Sequence, residues 1–486
     1  MKIAMGYFKR LIVSKLGEFL ALFIFTVFSM LIRGYEYGTG NQIHYLTYLN
    51  YYLQPALYPF DYLLKTHRIP YTIFIDLLKN TPFIRTNPET VIFIIYTLFL
   101  YAFYIGLFYL VFKLFNDKKL SWLALLLFVI TIPIGGSTIF TVEKSFIPRF
   151  AADVFLILSV YFLLAKKFTR SAVIAAVGFL FHPLTLITYP LILGILWFYK
   201  YAPFKKLIQG FTIFTLISLP MLTKFLVQDS KVGIFIDSAW KEVLTERMPY
   251  VFILKWASYD YLLLGAIVAF FIFFSRFSQK KAKINPVVSA SIIAGLILLL
   301  VSILSDITSF RLGLQLQLPR NLYLMVIFAI IYFVRFLTLR FTGNAQRIVM
   351  SIVIIGTFAV TVIARGPDGI LISRPYNDFE KVAIWAKSNT PITAIFVIPP
   401  DKDGFRFLSE RSVVNESKEG GDGLYDRSFS LEWDRREDIL EQNNFVLNTK
   451  EIMVVKKAFR MDYIVTTQTL PYPVVHRSGV WKIYKI

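Results

Sequence analysis

Apolar residues along this chain are gathered into long runs, and short polar or charged segments separate these runs. A helix that crosses the hydrocarbon core of a membrane needs about 20 apolar residues, and such runs recur from residue 17 to residue 364. The pattern predicts a polytopic α-helical membrane protein with about 11 transmembrane helices. We place the spans at residues 17–33, 90–112, 120–140, 150–165, 171–182, 183–199, 208–227, 251–274, 285–305, 320–339 and 346–364.

The apolar stretch of residues 171–199 allows two interpretations. His182-Pro183 interrupts it, and a proline lacks the backbone N–H that a continuous helix needs. The stretch is therefore either two short spans with a tight turn or one kinked helix. Two crossings place the lysines and arginines in every second loop, which favours the first interpretation.

The distribution of lysine and arginine predicts the orientation, because cytoplasmic loops are enriched in these residues. We predict a cytoplasmic N-terminus in a cell (plasma or inner) membrane, and no small-residue cleavage site follows the first apolar run. The loop after the first span and the C-terminal region are then extracytoplasmic. The basic clusters lie at residues 2–15, 113–119, 166–170, 200–206, 276–283 and 340–347.

Composition agrees with a membrane protein. The chain is 56% hydrophobic, whereas soluble proteins are about 45–50% apolar. Much of the net charge of +21 lies in the short clusters between spans, and no nucleic-acid-reading motif accompanies it, so we predict no nucleic-acid partner. The absence of cysteine excludes disulfides, thiolate metal sites and a cysteine nucleophile.

The pattern changes after residue 365, where charge is spread throughout and long apolar runs end. We therefore divide the chain into a transmembrane domain, residues 1–365, and a small extracytoplasmic α/β domain, residues 366–486. A glycine-rich loop is expected at residues 419–423. Predicted helices cover residues 378–389, 431–442 and 449–459, and predicted strands cover 394–398, 463–466, 474–475 and 480–484.

The first loop, residues 33–89, is unusually long for a connection without function. Its carboxylates Glu36 and Asp61 are candidate general bases. The alternatives are a surface charge paired with Arg33 for Glu36, and a turn or helix cap for Asp61.

Three further polar residues of this loop are candidate ligands for hydroxyl or phosphate groups, with a plain polar loop as the alternative. The tyrosines of the loop fit an aromatic belt at the membrane interface, or a platform for sugar rings. The three residues are Asn41, Gln42 and His44. The tyrosines are Tyr35, Tyr37, Tyr45, Tyr48, Tyr51, Tyr52 and Tyr58.

Other candidates flank later spans on the same predicted side. Arg149 and Asp153 are four residues apart on one helix and could neutralise each other. Arg320 stands at the edge of a span, where a guanidinium group can bind a lipid phosphate or anchor the helix. The substrate-binding candidates outside the first loop are Glu143, Arg149, His182, Gln317 and Arg320.

Several segments carry a resemblance to a known group: GYEYGTGNQIHYL, LYPFD, EKSFIPR, FHPLT, QLQLPR and the tail WAKSNTPITAIFVIPPDKDGFRFLSERSVV. The chain resembles GT-C membrane glycosyltransferases, which include protein O-mannosyltransferases, and more specifically an uncharacterised bacterial GT-C-like family. The resemblance implies a long first extracytoplasmic loop with interfacial helices. The group usually carries an aspartate early in that loop, whereas this chain has Glu36 and no aspartate before Asp61.

The resemblance implies transfer of a sugar from a polyprenyl-phosphate-linked donor to an acceptor hydroxyl at the extracytoplasmic membrane face. Glu36, or else Asp61, would be the base, and Arg320 with Arg149 would hold the phosphate. The implied partners are membrane lipid, the lipid-linked donor, and a glycan, lipid or protein acceptor. No cofactor is indicated, and a divalent cation stays open. The alternatives are a non-catalytic GT-C-like protein and a transporter or flippase of lipid-linked glycans.

Overall fold

The computed structural model describes residues 15–66, 72–228, 233–277, 284–365, 375–441 and 449–486. The chain is mostly helical, and a small β-sheet lies in the C-terminal region. The helices up to residue 186 are α1 (Lys15–Arg33), α2 (Asn41–Leu53), α3 (Tyr62–Thr66), α4 (Phe74–Lys79), α5 (Pro88–Phe115), α6 (Lys118–Leu127), α7 (Pro148–Leu164), α8 (Phe168–Phe181) and α9 (Pro183–Leu186). They are followed by α10 (Thr188–Phe198), α11 (Phe204–Gln228), α12 (Ser238–Arg247), α13 (Ser258–Phe277), α14 (Pro286–Thr308), α15 (Arg311–Gln315), α16 (Tyr323–Arg340) and α17 (Gly343–Arg365).

Seven helices in the described residues are long and apolar enough to cross a membrane, which agrees with a polytopic membrane protein. Two shorter apolar helices, Phe168–Phe181 and Pro183–Phe198, lie among them. The total number of spans stays a prediction. The seven long helices are Lys15–Arg33, Pro88–Phe115, Phe204–Lys224, Ser258–Phe277, Pro286–Thr308, Leu318–Arg340 and Gly343–Ile363.

The chain reverses direction at His182, whose backbone is extended with φ −153° and ψ 96°. The hydroxyl of Tyr189 donates to Ser171 at 3.0 Å, and the rings of Phe168 and Tyr201 lie 6.4 Å apart. These contacts join residues near the start of α8 to residues after the turn. Residues 168–198 therefore form a hairpin and not one kinked helix.

The predicted span at residues 120–140 is wrong in its second half. Helix α6 ends at Leu127, and an irregular segment with a short 3₁₀ turn at Gly135–Ser137 follows it. Pro133 removes a backbone donor from this segment. A Cβ atom at Gly136 would lie 2.6 Å from the ring of Trp256, so this backbone packs too closely against the indole for any other residue. Hydropathy alone does not separate such a buried irregular segment from a helix.

The predicted span at residues 251–274 begins later than expected, at Ser258. The preceding residues form helix α12 and two 3₁₀ turns, Pro249–Val251 and Ile253–Lys255. The Asp237 carboxylate caps α12 by accepting from the backbone N–H of Trp240 at 3.2 Å. Residues 233–257 thus form a segment of short helical elements between α11 and α13 in the chain.

The C-terminal region carries a five-stranded sheet of order β2-β1-β3-β5-β4. Strand β1 pairs in parallel with β2 and β3, and β5 pairs antiparallel with β3 and β4. The strands are β1 (Ile395–Val397), β2 (Ser412–Val413), β3 (Tyr463–Thr466), β4 (Val474–Ser478) and β5 (Trp481–Lys485). The helices of this region are α18 (Asp378–Asn389), α19 (Phe405–Ser409), α20 (Arg427–Glu441) and α21 (Thr449–Ala458).

The expected glycine-rich loop at residues 419–423 is part of a 3₁₀ helix, Ser417–Leu424. Glu416 and Glu419 form a capping box at its start. We call Ser417–Leu424 the cover helix, because it packs against the end of the transmembrane bundle. Trp240 Nε1 donates to the Gly423 carbonyl at 2.8 Å, and Gln315 Nε2 donates to the Leu424 carbonyl at 3.1 Å.

Candidate active site

Two adjoining cavities lie where the cover helix meets the bundle. The first has a volume of about 320 Å³ and the second of about 470 Å³. They are neighbours, since they share five lining residues. The shared residues are Asn41, Thr138, Ile147, Arg149 and Lys418.

The first cavity, which we call the cationic cavity, brings together positive side chains from four parts of the chain. Arg149 begins helix α7, Arg247 ends α12, Arg320 precedes α16, and Lys418 belongs to the cover helix. Asp422 is the acidic residue in its described lining. Such an excess of positive charge in a concave site favours an anionic ligand. The remaining lining residues are Asn41, His44, Tyr45, Thr138, Ile147, His182, Met248, Tyr250, Gln317, Gly421 and Tyr425.

Arg149 is held by an acid, but not by the expected one. Its Nε donates to the Glu143 carboxylate at 3.1 Å, and its terminal nitrogen forms an ion pair with the same oxygen. Asp153 forms no ion pair with Arg149, although it lies on the same helix and is 3% exposed. Glu143 neutralises the charge of Arg149. Arg149 therefore contributes oriented N–H donors to the cavity more than it contributes net positive charge.

Arg320 is placed by aromatic and backbone contacts. Its guanidinium carbon lies 5.6 Å from the centre of the Tyr250 ring. Its Nε is buried and has no hydrogen-bond partner among the described residues. Gln317, in the left-handed region at φ 45°, donates from Nε2 to the Tyr425 hydroxyl at 3.2 Å. The Arg320 guanidinium is therefore oriented without a carboxylate from the described part of the chain to neutralise it.

Lys418 lines both cavities from the cover helix. Its backbone N–H donates to the Asp403 carboxylate, which fixes the start of that helix. Burial lowers the pKa of the Lys418 ammonium, and Arg247 and Arg149 lower it further, although Asp403 opposes this effect. An anion in the cavity would stabilise the charged form of Lys418.

Two histidines line the cationic cavity. His44 Nε2 lies 3.2 Å from the Asp422 carboxylate, so this contact joins the first loop to the cover helix. His182 Nδ1 lies 2.9 Å from the Thr185 hydroxyl at the turn between α8 and α9. Both candidates from the sequence thus lie on the same cavity.

The second cavity, which we call the carboxylate cavity, contains Glu36. One Glu36 oxygen accepts from the Thr39 hydroxyl at 3.0 Å, and the other lies 3.5 Å from the Lys144 ammonium. Glu36 does not pair with Arg33, which is buried and donates to the Tyr96 hydroxyl at 2.8 Å. The Glu36 side chain is 42% exposed, so a solute in the cavity can reach it.

Two candidates do not line either cavity. Asp61 is fully buried and accepts from Arg406 Nε at 2.6 Å and from the Val413 backbone at 3.2 Å. Gln42 is also fully buried and bridges the Gly38 backbone and the Phe146 carbonyl. The structure thus gives both residues internal partners, and it gives Asp61 no access to a substrate in the cavities.

Arg406 is the centre of a buried charge cluster. Besides Asp61, its guanidinium pairs with Glu416 at 3.2 Å and with Glu419 at 2.7 Å. The four side chains are at most 5% exposed. We call them the Arg406 cluster; it joins the first loop to the C-terminal region.

The tyrosines of the first loop do not form a uniform belt at the membrane interface. Tyr35, Tyr48 and Tyr58 are at most 4% exposed and pack inside the protein. Tyr45 lines the cationic cavity, and Tyr52 is 43% exposed. The belt interpretation is therefore wrong for the three buried rings, whose aromatic bodies stabilise the loop by packing.

The residues that sequence analysis missed come from two segments beyond the first loop. Arg247 and Tyr250 lie in the segment between α11 and α13. Lys418, Asp422 and Tyr425 lie in or beside the cover helix. Arg247 Nε donates to the Ser417 carbonyl at 2.8 Å, which links these segments. The glycine-rich stretch was the one available signal, but nothing in the sequence indicated that it faces the bundle.

The donor set does not fit a divalent cation. Among the described residues, no group of three or more histidine, aspartate and glutamate side chains is placed to hold a metal ion. Glu36 and Glu143 each have a cationic partner in the carboxylate cavity. Hard divalent cations need several oxygen ligands, so we derive no step through a metal.

Comparisons with known proteins address the fold. Residues 377–439 match a domain of unknown function, DUF6798. A search of curated proteins finds no match. The chain is similar to the oligosaccharyltransferase AglB of Archaeoglobus fulgidus in complex with an inhibitory peptide and a dolichol-phosphate, with 11% identity, a TM-score of 0.50, and coverage of 92% of this chain and 69% of that chain.

A second solved structure gives the same result. The chain is similar to the oligosaccharyltransferase of the same organism in complex with Zn and sulfate, with 11% identity, a TM-score of 0.51, and coverage of 91% of this chain and 67% of that chain. The fold is GT-C-like. At this identity the similarity concerns the fold, and it does not transfer an activity.

Proposed function

We propose that this GT-C-like chain transfers a sugar from a polyprenyl-phosphate-linked donor to an acceptor hydroxyl at the extracytoplasmic membrane face. The observation that carries the proposal is the cationic cavity, in which Arg149, Arg247, Arg320 and Lys418 converge. Asp422 is the acidic residue in its described lining, and Glu143 pairs with Arg149 from outside that lining. Guanidinium and ammonium groups are the side chains that bind phosphate.

An apolar groove beside the cationic cavity supports a lipid-linked donor. The groove has a volume of about 280 Å³ and is lined almost entirely by apolar residues. Pro183 and Leu316 line it, while their chain neighbours His182 and Gln317 line the cationic cavity. A molecule with a phosphate and a hydrocarbon chain would fill both spaces. The other lining residues are Phe179, Ile187, Pro190, Phe211, Phe214, Thr215, Met221 and Leu222.

In the proposed reaction, the carboxylate of Glu36 accepts the proton of the acceptor hydroxyl. The hydroxyl oxygen bonds to the anomeric carbon from the side opposite the phosphate, and the bond between that carbon and the phosphate oxygen breaks. The lipid phosphate leaves with the electron pair, and the anomeric configuration inverts. Arg320 stabilises the negative charge that develops on the leaving phosphate, and Lys418 contributes to binding the donor phosphate. Among the two candidate bases, cavity access favours Glu36, since Asp61 is buried in the Arg406 cluster.

The comparison supports a lipid-linked donor, because one similar protein was solved with a dolichol-phosphate. That protein also holds an inhibitory peptide. The acceptor of this chain stays open among glycan, lipid and protein. We retain the division into residues 1–365 and 366–486 as part of the proposal, with the second part supplying Lys418 and Asp422 to the site.

The test compares two carboxylates of the first loop. The full chain is reconstituted in liposomes with a radiolabelled polyprenyl-phosphate hexose and an extract of envelope glycans, and release of polyprenyl phosphate is followed. Glu36→Gln should lower the rate about 10²-fold or more, because the acceptor proton loses its base. Glu89→Gln is the matched control: it removes the same charge from the same loop, and Glu89 does not line the described cavities.

Equal rates for wild type and Glu36→Gln would contradict the assignment of the base. If no protein releases polyprenyl phosphate but all bind the donor, the non-catalytic alternative is favoured. Movement of the intact donor across the liposome membrane would favour the flippase alternative.

A further inference from the structure

A second basic site lies at the opposite end of the bundle from the cationic cavity. Arg149 stands at the start of α7, and Lys166 follows the end of that helix. The 17 residues of α7 span about 25 Å at 1.5 Å per residue. The site is a cavity of about 270 Å³ between the turn from α7 to α8 and the first turn of α11. Its lining residues are Lys166, Lys167, Phe168, Thr169, Arg170, Lys206 and Gln209.

Apart from Phe168, the side chains that line this cavity are hydrogen-bond donors, and the described lining contains no acid. It has four cationic side chains, one hydroxyl and one amide. None of the four cations forms an ion pair with a described carboxylate. The start of α8 adds backbone donors, since Lys167 at its N-cap makes no side-chain capping bond. Four cations around one concavity repel each other unless a counter-charge is present.

Two basic residues at other turns of this end of the bundle have a described acidic partner. Lys118 pairs with the buried Glu18, and Arg335 lies 3.9 Å from Asp117. The four cations of the cavity differ from these two residues, because they have no described acidic partner and line one concavity together. The missing counter-charge points to an anion from outside the chain.

Aromatic side chains next to the cavity indicate the source of that anion. The Lys166 ammonium lies 5.3 Å from the centre of the Tyr201 ring, and the rings of Trp197 and Phe204 lie 5.4 Å apart. Trp197 and Phe204 are 49% and 55% exposed. Exposed aromatic rings of this kind lie at the level of lipid headgroups, so the cavity opens where headgroups lie.

We propose that this cavity binds the phosphate headgroup of an anionic membrane lipid. Basic pockets between transmembrane helices bind such headgroups through charge and donated hydrogen bonds. The site is distinct from the cationic cavity and is independent of the proposed transfer reaction. A bound lipid would join the α7–α8 turn to the start of α11.

The test is native mass spectrometry of the full chain released from nanodiscs of phosphatidylcholine alone or mixed with phosphatidylglycerol. The variant Lys166→Gln/Lys167→Gln/Arg170→Gln removes three charges from the cavity. The variant Lys113→Gln/Lys119→Gln/Arg340→Gln removes three charges from other basic turns. Wild type and the second variant should retain phosphatidylglycerol in preference to phosphatidylcholine, and the cavity variant should lose this preference about tenfold.

Three results would overturn the proposal. The cavity variant could retain phosphatidylglycerol as wild type does, or the second variant could lose it to the same extent, which would indicate a general charge effect. Displacement of phosphatidylglycerol by millimolar glycerol 3-phosphate would assign the site to a soluble phosphate. Failure of glycerol 3-phosphate to displace the lipid supports the headgroup assignment.

Discussion

The Arg406 cluster and the cationic cavity use the same kinds of side chain in opposite proportions. The cluster surrounds one arginine with three carboxylates and excludes solvent. The cavity gathers four cationic side chains around one described aspartate, in a space of about 320 Å³. Both are built across the contact between the bundle and the C-terminal region.

The difference shows that two properties distinguish a structural charge from one that can bind a ligand. They are the burial of the side chain and the ratio of acidic to basic groups around it. Charges in the cluster have internal partners and cannot reach a ligand. In the cavity, Arg320 has a buried Nε without a described partner, and Lys418 has a lowered pKa. A cationic side chain that lines a cavity and has no acidic partner is suited to bind an anion.

The largest expected effect comes from removing the centre of the cluster. Arg406→Met leaves three buried carboxyl groups without the cation that pairs with them and should destabilise the protein by about 3–5 kcal/mol. Thermal unfolding of the detergent-solubilised full chain, followed by tryptophan fluorescence, measures this loss. Trp433 reports locally, since its Nε1 donates to the Glu416 carbonyl at 3.2 Å.

The matched control for this variant is Lys402→Met, which removes the same charge from the exposed pair with Asp401. Its effect should stay within about 0.5 kcal/mol. Equal unfolding temperatures for the two variants would contradict the structural role of the Arg406 cluster.

The second-largest effect should appear in the rate of sugar transfer and not in the stability of the fold. Arg320→Gln removes a cation that has no described carboxylate partner, so the unfolding temperature should change little. The rate of polyprenyl-phosphate release should fall about 10²–10³-fold, as when one transition-state donor is lost. An unfolding temperature that falls as far as in Arg406→Met would place Arg320 with the structural charges.

A smaller effect is expected from Lys418→Met. Lys418 lies on the wall shared by both cavities, so its loss should weaken phosphate binding and spare the acceptor side. We expect roughly a tenfold loss of donor affinity, in the range of one charge-assisted hydrogen bond. Kinetics with the lipid-linked donor should show a raised KM for the donor. A change in kcat with an unaltered KM would instead assign Lys418 to the chemical step.

The smallest effect is a pH dependence of stability. Burial raises the pKa of Glu416 to about 8 and that of Glu419 to about 7, although Arg406 opposes this. The ordinary value is 4.5, so the folded state keeps protons that the unfolded chain releases. The stability from these protons is complete below pH 4.5 and is lost as the pH rises through about 8.

The unfolding temperature should therefore fall as the pH rises from about 4.5 to about 8. Glu416→Gln/Glu419→Gln should make this dependence weaker, because the glutamines do not titrate. A rise in the wild-type unfolding temperature over the same interval would contradict the assigned direction of the pKa shifts.

Local patterns were sufficient for much of the C-terminal region. Helix α18 and strand β3 have the predicted bounds, since a capping box at Asn377 and Glu380 starts the helix and apolar β-formers fill the strand. Periodicity failed at residues 128–140, where Pro133 and Gly136 lie within an apolar run. Short elements such as α19 and β2 carry too few residues to show a period.

The part of the candidate site that the helical bundle and the first loop contribute was predictable from the sequence. Eight candidates line the two cavities: Glu36, Asn41, His44, Glu143, Arg149, His182, Gln317 and Arg320. The partners from distant segments were not predictable. No spacing relates Asp61 to Arg406, 345 residues later, and Lys418 and Asp422 reach the site only through the packing of the cover helix.

Binding of polyprenyl phosphate by the full chain measures directly whether the cationic cavity holds a phosphate group. Titration in nanodiscs, with bound lipid counted by native mass spectrometry, compares wild type with Arg320→Gln/Lys418→Gln and with the charge-matched Arg335→Gln/Lys402→Gln. We expect saturable binding that falls at least tenfold in the first variant and persists in the second, since each phosphate contact is charge-assisted. Equal binding by all three proteins would contradict the assignment of the cationic cavity as a phosphate site.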